Sequence, residues 1–84
     1  MSYEISILRR AQKELAKLPQ KDYEKVRDAI SNLAADPRPS GCKKLKGRPA
    51  WRIRVGVYRV IYTINDQKLT IVVIDIGHRR DIYR

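Results

Sequence analysis

Asp36-Pro37-Arg38-Pro39-Ser40-Gly41 divides this chain into two stretches of different hydrophobic period, and that division is the strongest constraint on its fold. Two prolines fix the local backbone and remove amide donors, so neither a helix nor an interior strand can run through the segment. Before it, Leu8, Ala11, Leu15 and Leu18 recur at three and four residues as far as Pro19. Tyr23, Val26, Ile30 and Leu33 repeat that spacing after a restart near Lys21 or Asp22. The pattern predicts two amphipathic helices, with Glu24, Lys25, Arg27 and Asp28 on the exposed side of the second. Tyr3 to Leu8 alternates instead, Tyr3, Ile5 and Ile7 against Glu4, Ser6 and Leu8, and reads as a short strand. Beyond Gly41 the chain reads as sheet: Lys44 to Gly47, Trp51 to Val55, a turn at Gly56, Val57 to Ile64, a reversal at Asn65-Asp66-Gln67, then β-branched Lys68 to Ile76. The expected fold is β-α-α-β-β-β, a single α+β domain over residues 1–84 with a helical hairpin packed on one face of an antiparallel sheet.

Charge narrows the classes of partner. The 84 residues include 19 basic and 9 acidic ones, a formal charge of +10 that attracts polyanions and costs self-repulsion in the compact state. Between Asp36 and Asp66 no acidic residue occurs, while Arg38, Lys43, Lys44, Lys46, Arg48, Arg52, Arg54 and Arg59 all fall there. Cys42 is the only cysteine and His78 the only histidine, so no intrachain disulfide can form, and neither a metal site nor a cofactor is expected. The apolar run Ile71 to Ile74 is far short of the ~20 residues that cross a bilayer, and a soluble cytoplasmic protein without membrane contact is expected.

Within the sheet half, arginines interrupt apolar alternation. Residues two apart in a strand share a face at roughly 7 Å, so Arg52 and Arg54 point together. Arg59 shares a face with Val57 and Ile61, and a tight turn at Gly56 brings it beside the first pair, while Tyr58, Val60, Tyr62 and Ile64 turn to the helices. The expected result is an open, guanidinium-lined concavity suited to phosphate. Lys43, Lys44, Lys46, Arg48 and Arg80 extend it as candidate RNA contacts. Trp51 reads as an anchor rather than a base-stacking platform, and Cys42 as chemically idle. Arginine is a poor proton carrier, since its pKa lies above ~12, so proton transfer has to come from the tail, where His78 and Tyr83 flank Arg79 and Arg80.

Lys44-Leu45-Lys46-Gly47, Trp51-Arg52-Ile53-Arg54-Val55-Gly56, Tyr58-Arg59-Val60-Ile61-Tyr62 and Gly77-His78-Arg79-Arg80-Asp81-Ile82-Tyr83 together resemble the RelE branch of the RelE/ParE toxin superfamily over nearly the whole chain. The resemblance implies a type II toxin that enters the ribosomal A site and cleaves mRNA. In that reaction the ribose 2′-hydroxyl attacks the adjacent phosphate, giving a 2′,3′-cyclic phosphate and a 5′-hydroxyl without metal. It implies neutralisation by a cognate, RelB-like antitoxin, with ribosome and mRNA as the other partners. Carried across, Arg52 and Arg54 fall at the family's two basic strand positions, Arg59 and Arg79 at its arginines, and Tyr83 at its tyrosine. Some members carry lysines where Arg52 and Arg54 stand, which moves the expected proton transfer to His78 with Tyr83. The alternative on the same fold is a ParE-like, non-catalytic inhibitor of DNA gyrase.

Overall fold

Alternation and helical spacing both resolve into regular elements in the structure, a computed structural model that describes residues 2–78. In chain order these are β1 (Glu4–Ile7), α1 (Arg9–Ala16), α2 (Gln20–Asn32), β2 (Lys43–Lys44), β3 (Trp51–Val55), β4 (Tyr58–Asn65) and β5 (Thr70–His78). On α1, Ala11 and Leu15 are buried one turn apart, whereas Leu8 holds an extended cap conformation and stays 47 % exposed, outside the stripe. Pro19 sets the break between the helices: its carbonyl accepts the Tyr23 amide at 2.8 Å and opens α2, one residue earlier than the periodicity suggests. Val26 and Ile30 are buried on α2, and Leu33 closes it at 1 % exposure.

The strands form one sheet in the order β1-β5-β4-β3-β2. Strands β2 to β5 are antiparallel as expected, but β1 joins β5 in parallel, Ile5 opposite Ile71 and Ile7 opposite Val73. Alternation fixes which side chains share a face and says nothing about which edge a strand takes, so this pairing had no signal in the sequence. Both helices cover the face bearing Ile53, Val60, Tyr62, Val73 and Ile76, and with Ala11, Leu15, Val26, Ile30 and Leu33 these make the core. A register shift at Ile61/Tyr62 inserts one extra residue into β5. Gly56 turns β3 into β4 with φ +59 while Val57 stays at negative φ, the pattern of a two-residue II′ hairpin turn.

The proline-rich connection is held against the sheet rather than left loose. The Tyr62 hydroxyl donates to the Pro37 carbonyl at 2.8 Å, and burial pushes that phenol's pKa well up. Arg38 lies over the Trp51 ring at 5.0 Å and donates to both Asp66 oxygens at 3.3 and 2.9 Å, and the Tyr3 hydroxyl donates to Asp66 Oδ1 at 2.7 Å. Trp51 is thus an anchor. Arg38 first, then Tyr3, hold the Asp66 carboxyl below the usual carboxylate range. A depressed folded-state pKa means that stability is present in full above the unfolded carboxylate value and is lost as pH falls through the lowered one. Melting temperatures of wild type and Asp66→Asn, measured against pH, are therefore expected to differ by a constant amount near neutrality and to converge in acid below the usual carboxylate range.

Gly41, at φ +90 with open space where a Cβ would stand, lets the chain turn into β2. Gly41→Ala is expected to cost about 1 kcal/mol through backbone conformation alone, read from the denaturant midpoint.

Candidate nucleic-acid interface

Cross-strand register assembles the arginines on the sheet face opposite the helices. Arg54 on β3 lies directly across from Arg59 on β4, and one row away Lys43, Arg52, Ile61 and Asp75 follow one another across β2, β3, β4 and β5. Like charges placed directly opposite each other destabilise a sheet. Two such pairs, Lys43 with Arg52 and Arg54 with Arg59, cost stability in the isolated domain, and an anion bound between them would relieve that cost.

The face differs from the expected open concavity. Only Arg54 is exposed; Arg52 is 4 % and Arg59 2 % exposed, beside an equally buried Ile61. Strand β4 is the central strand, and β2 flanks β3 only at Trp51 and Arg52, so Arg54 lies past the end of β2. Lys43, Lys44, Lys46 and Arg48 are exposed on β2 and the turn after it, where the Leu45 amide bonds the Ala50 carbonyl at 2.9 Å.

His78 does not join the arginines. It pairs with Tyr58, which places both on the helix side; the rings meet edge to face at 6.0 Å, and the Tyr58 hydroxyl donates to Asp22 on α2 at 2.8 Å. That bond to a carboxylate raises the Tyr58 pKa. Alternation counted back from Ile76 gives the same answer, because His78 is two residues on and shares its face. Arg79, Arg80 and Tyr83 lie outside the described residues.

Two features of the structure lie outside the sequence expectations. Asp75 is the carboxylate that the second row carries, ion-paired to Arg10 of α1 at 3.0 Å; its place between Ile74 and Ile76 was a readable polar-face signal. The other is a groove of about 570 Å³ between α2 and the edge of β3, lined by Ala29, Leu33, Gly41, Arg54 and Val55. It opens because the chain peels away from β3 after two paired residues, which no residue pattern announces. Among the described residues no group of three or more His, Cys, Asp or Glu side chains is placed to hold a metal, and no helix is long and apolar enough to cross a membrane.

Residues 5–83 match the family described as the ParE toxin of the type II toxin-antitoxin system parDE. The chain belongs to the RelE/ParE family of type II toxins. Toxin RelG of Mycobacterium tuberculosis is 34% identical over 87 residues, covering 100% of this chain and 99% of RelG. The archaeal RelE–RelB complex from Pyrococcus horikoshii holds a chain that superposes with a TM-score of 0.85 at 29% identity, covering 96% of this chain and 99% of that one. The intact Escherichia coli RelBE complex gives 0.80 at 29% identity, with 92% and 96% covered. RelE-type toxins thus share the strand, helical hairpin and sheet seen here.

Proposed function

We propose that this RelE-type toxin is a ribosome-dependent endoribonuclease that cuts mRNA in the ribosomal A site. The observation that carries the reading is the placement of Arg54 directly across from Arg59, with Arg52 in the adjoining row. Guanidinium forks there would hold the scissile phosphate and stabilise the charge that builds on it as the ribose 2′-oxygen bonds to phosphorus and the 5′-oxygen leaves. Arg79 adds a further cation in this reading. The 2′-hydroxyl proton must be removed and the 5′-oxygen must gain one, and with His78 on the helix side that work falls to Tyr83.

Its partner in this reading is a cognate antitoxin, as RelB is for the RelE chains solved in complex from P. horikoshii and E. coli. An acidic antitoxin segment over Lys43 and Arg54 would bind less tightly at high salt and to Arg54→Glu. Equal affinity under both conditions would contradict that contact.

A second reading, inhibition of DNA gyrase, is favoured by the ParE description of the matching family. Fold does not separate the two. Purified protein added to a reconstituted translation reaction, with new mRNA 5′ ends mapped by primer extension, does separate them. Ribosome-dependent cuts within A-site codons support the nuclease; intact mRNA with loss of gyrase supercoiling activity supports the second reading.

A further inference from the structure

The extra residue in β5 decides which of its side chains stands among the arginines. Tyr62 pairs with Val73, but after the shift Ile61 pairs with Asp75 and Arg59 with Gly77. An unbroken register would set Ile74 and Ile76 across from Ile61 and Arg59 and turn Asp75 to the helices. The bulge thus re-aims β5 and puts a carboxylate on the arginine face. Asp75 is the diagonal neighbour of Arg59, about 7–8 Å away between α-carbons. Arg52 lies two strands across, roughly 10 Å off, with the buried Ile61 as an apolar floor between them. Arg10 reaches Asp75 from the first turn of α1 and donates to Oδ2 at 3.0 Å. Oδ1 accepts no hydrogen bond among the described residues and is not buried, in a side chain that keeps 27 % of its surface open. Stability alone explains this pair poorly, because the Arg10 side chain is 75 % exposed and surface ion pairs contribute little.

We propose that Asp75 is the general base of the cleavage, its Oδ1 taking the proton of the ribose 2′-hydroxyl. The inference rests on the nuclease reading, which leaves two proton transfers to the single side chain of Tyr83. Chemistry divides them. An ionised carboxylate offers only lone pairs, so it accepts a proton and has none to give. A tyrosine hydroxyl, with an ordinary pKa near ~10, carries its proton at neutral pH and suits the leaving 5′-oxygen. Attacking oxygen and phosphorus stand about 3–3.5 Å apart before reaction, so a phosphate in the fork of Arg59 brings the 2′-oxygen within reach of its diagonal neighbour. The 2′-oxygen then bonds to phosphorus and the bond to the 5′-oxygen breaks. Asp75 gains the first proton, Tyr83 supplies the second, and exchange with water restores both. Arg10 is a positioning residue, which holds Oδ2 and leaves Oδ1 to the substrate.

The test uses purified full-length protein in single-turnover cleavage of mRNA on 70S ribosomes, with either oxygen or sulfur as the 5′ leaving atom at the scissile bond. Asp75→Asn, an isosteric change at a partly exposed position, is expected to slow cleavage about 10²-fold. Ribosome binding, read by co-sedimentation, should be no weaker than that of wild type. A thiolate leaves without a proton, so the 5′-sulfur substrate should restore Tyr83→Phe and leave Asp75→Asn slow. Arg10→Gln removes the ion pair and keeps the carboxylate, and should lose less than about tenfold. Asp75→Glu should recover part of the rate. Cleavage by Asp75→Asn within about threefold of wild type overturns the proposal while the nuclease reading stands. An equal loss in Arg10→Gln would make the carboxylate a mere anchor for α1, and also overturns it. So does rescue of Asp75→Asn by sulfur, which would make Asp75 the acid. A wild type that leaves ribosome-bound mRNA intact removes the nuclease reading and this inference together.

Discussion

Arg54→Ala is expected to lower mRNA cleavage by about 10² to 10³ while the folded protein becomes no less stable. In the proposed nuclease reading, the activity loss follows from removing one charge-stabilising donor at the scissile phosphate, a change of that size where such donors are preorganised. The stability result follows from the sheet. Arg54 is exposed at the open edge of β3 and stands across from Arg59, so its removal takes away a like-charge pair and no buried contact. A residue held only for structure would give the opposite pair of results. Primer extension at saturating ribosomes, beside thermal melts of the same preparations, reads both. Arg59→Ala is a poorer probe, since at 2 % exposure its truncation disturbs packing as well as charge, and Arg59→Lys keeps the charge while removing the fork. Full activity in a folded Arg54→Ala protein would exclude Arg54 from the chemistry.

Ile71→Ala is expected to cost about 2–5 kcal/mol and lower the melting temperature by at least about 8 °C. Ile71 is fully buried on β5, between Ile5 of β1 and Ile64 of β4, so truncation opens a cavity where three strands meet the helices. Against a total of roughly 4–13 kcal/mol for a domain of this length, the loss takes a large share. Urea unfolding followed by circular dichroism should show a lower midpoint at unchanged slope. A midpoint shift equivalent to less than about 1 kcal/mol would mean that the site collapses around the missing atoms.

Helices and strands were legible because their burial is periodic. Val26, Ile30 and Leu33, and the face shared by Val60 and Tyr62, follow from spacing alone. The sharing of one face by Arg52, Arg54 and Arg59 followed from period two and a turn at Gly56. Exposure within that face was not legible, because alternation assigns a side chain to a face and not to a degree of burial, and Arg52 and Arg59 are buried where Arg54 is exposed. Nor did the proximity of Gly77-His78 to the arginines in sequence put His78 among them. Pairing with Tyr58 turned it to the other side.

The parallel seam between β1 and β5 has a consequence for the order in which the molecule comes into being. Glu4 pairs with Thr70 and Ile7 with Val73, so the strand made first waits through both helices and three further strands for its neighbour. Contacts between residues so far apart in the chain form late, because the intervening loop must be closed before they contribute. The central strand β4 likewise needs β5 on its flank, and β4 carries Arg59. While the ribosome is still synthesising this chain, the surface that would act on a ribosome is therefore incomplete. In the proposed nuclease reading, the toxin's own synthesis is thereby shielded by its topology until β5 has been made.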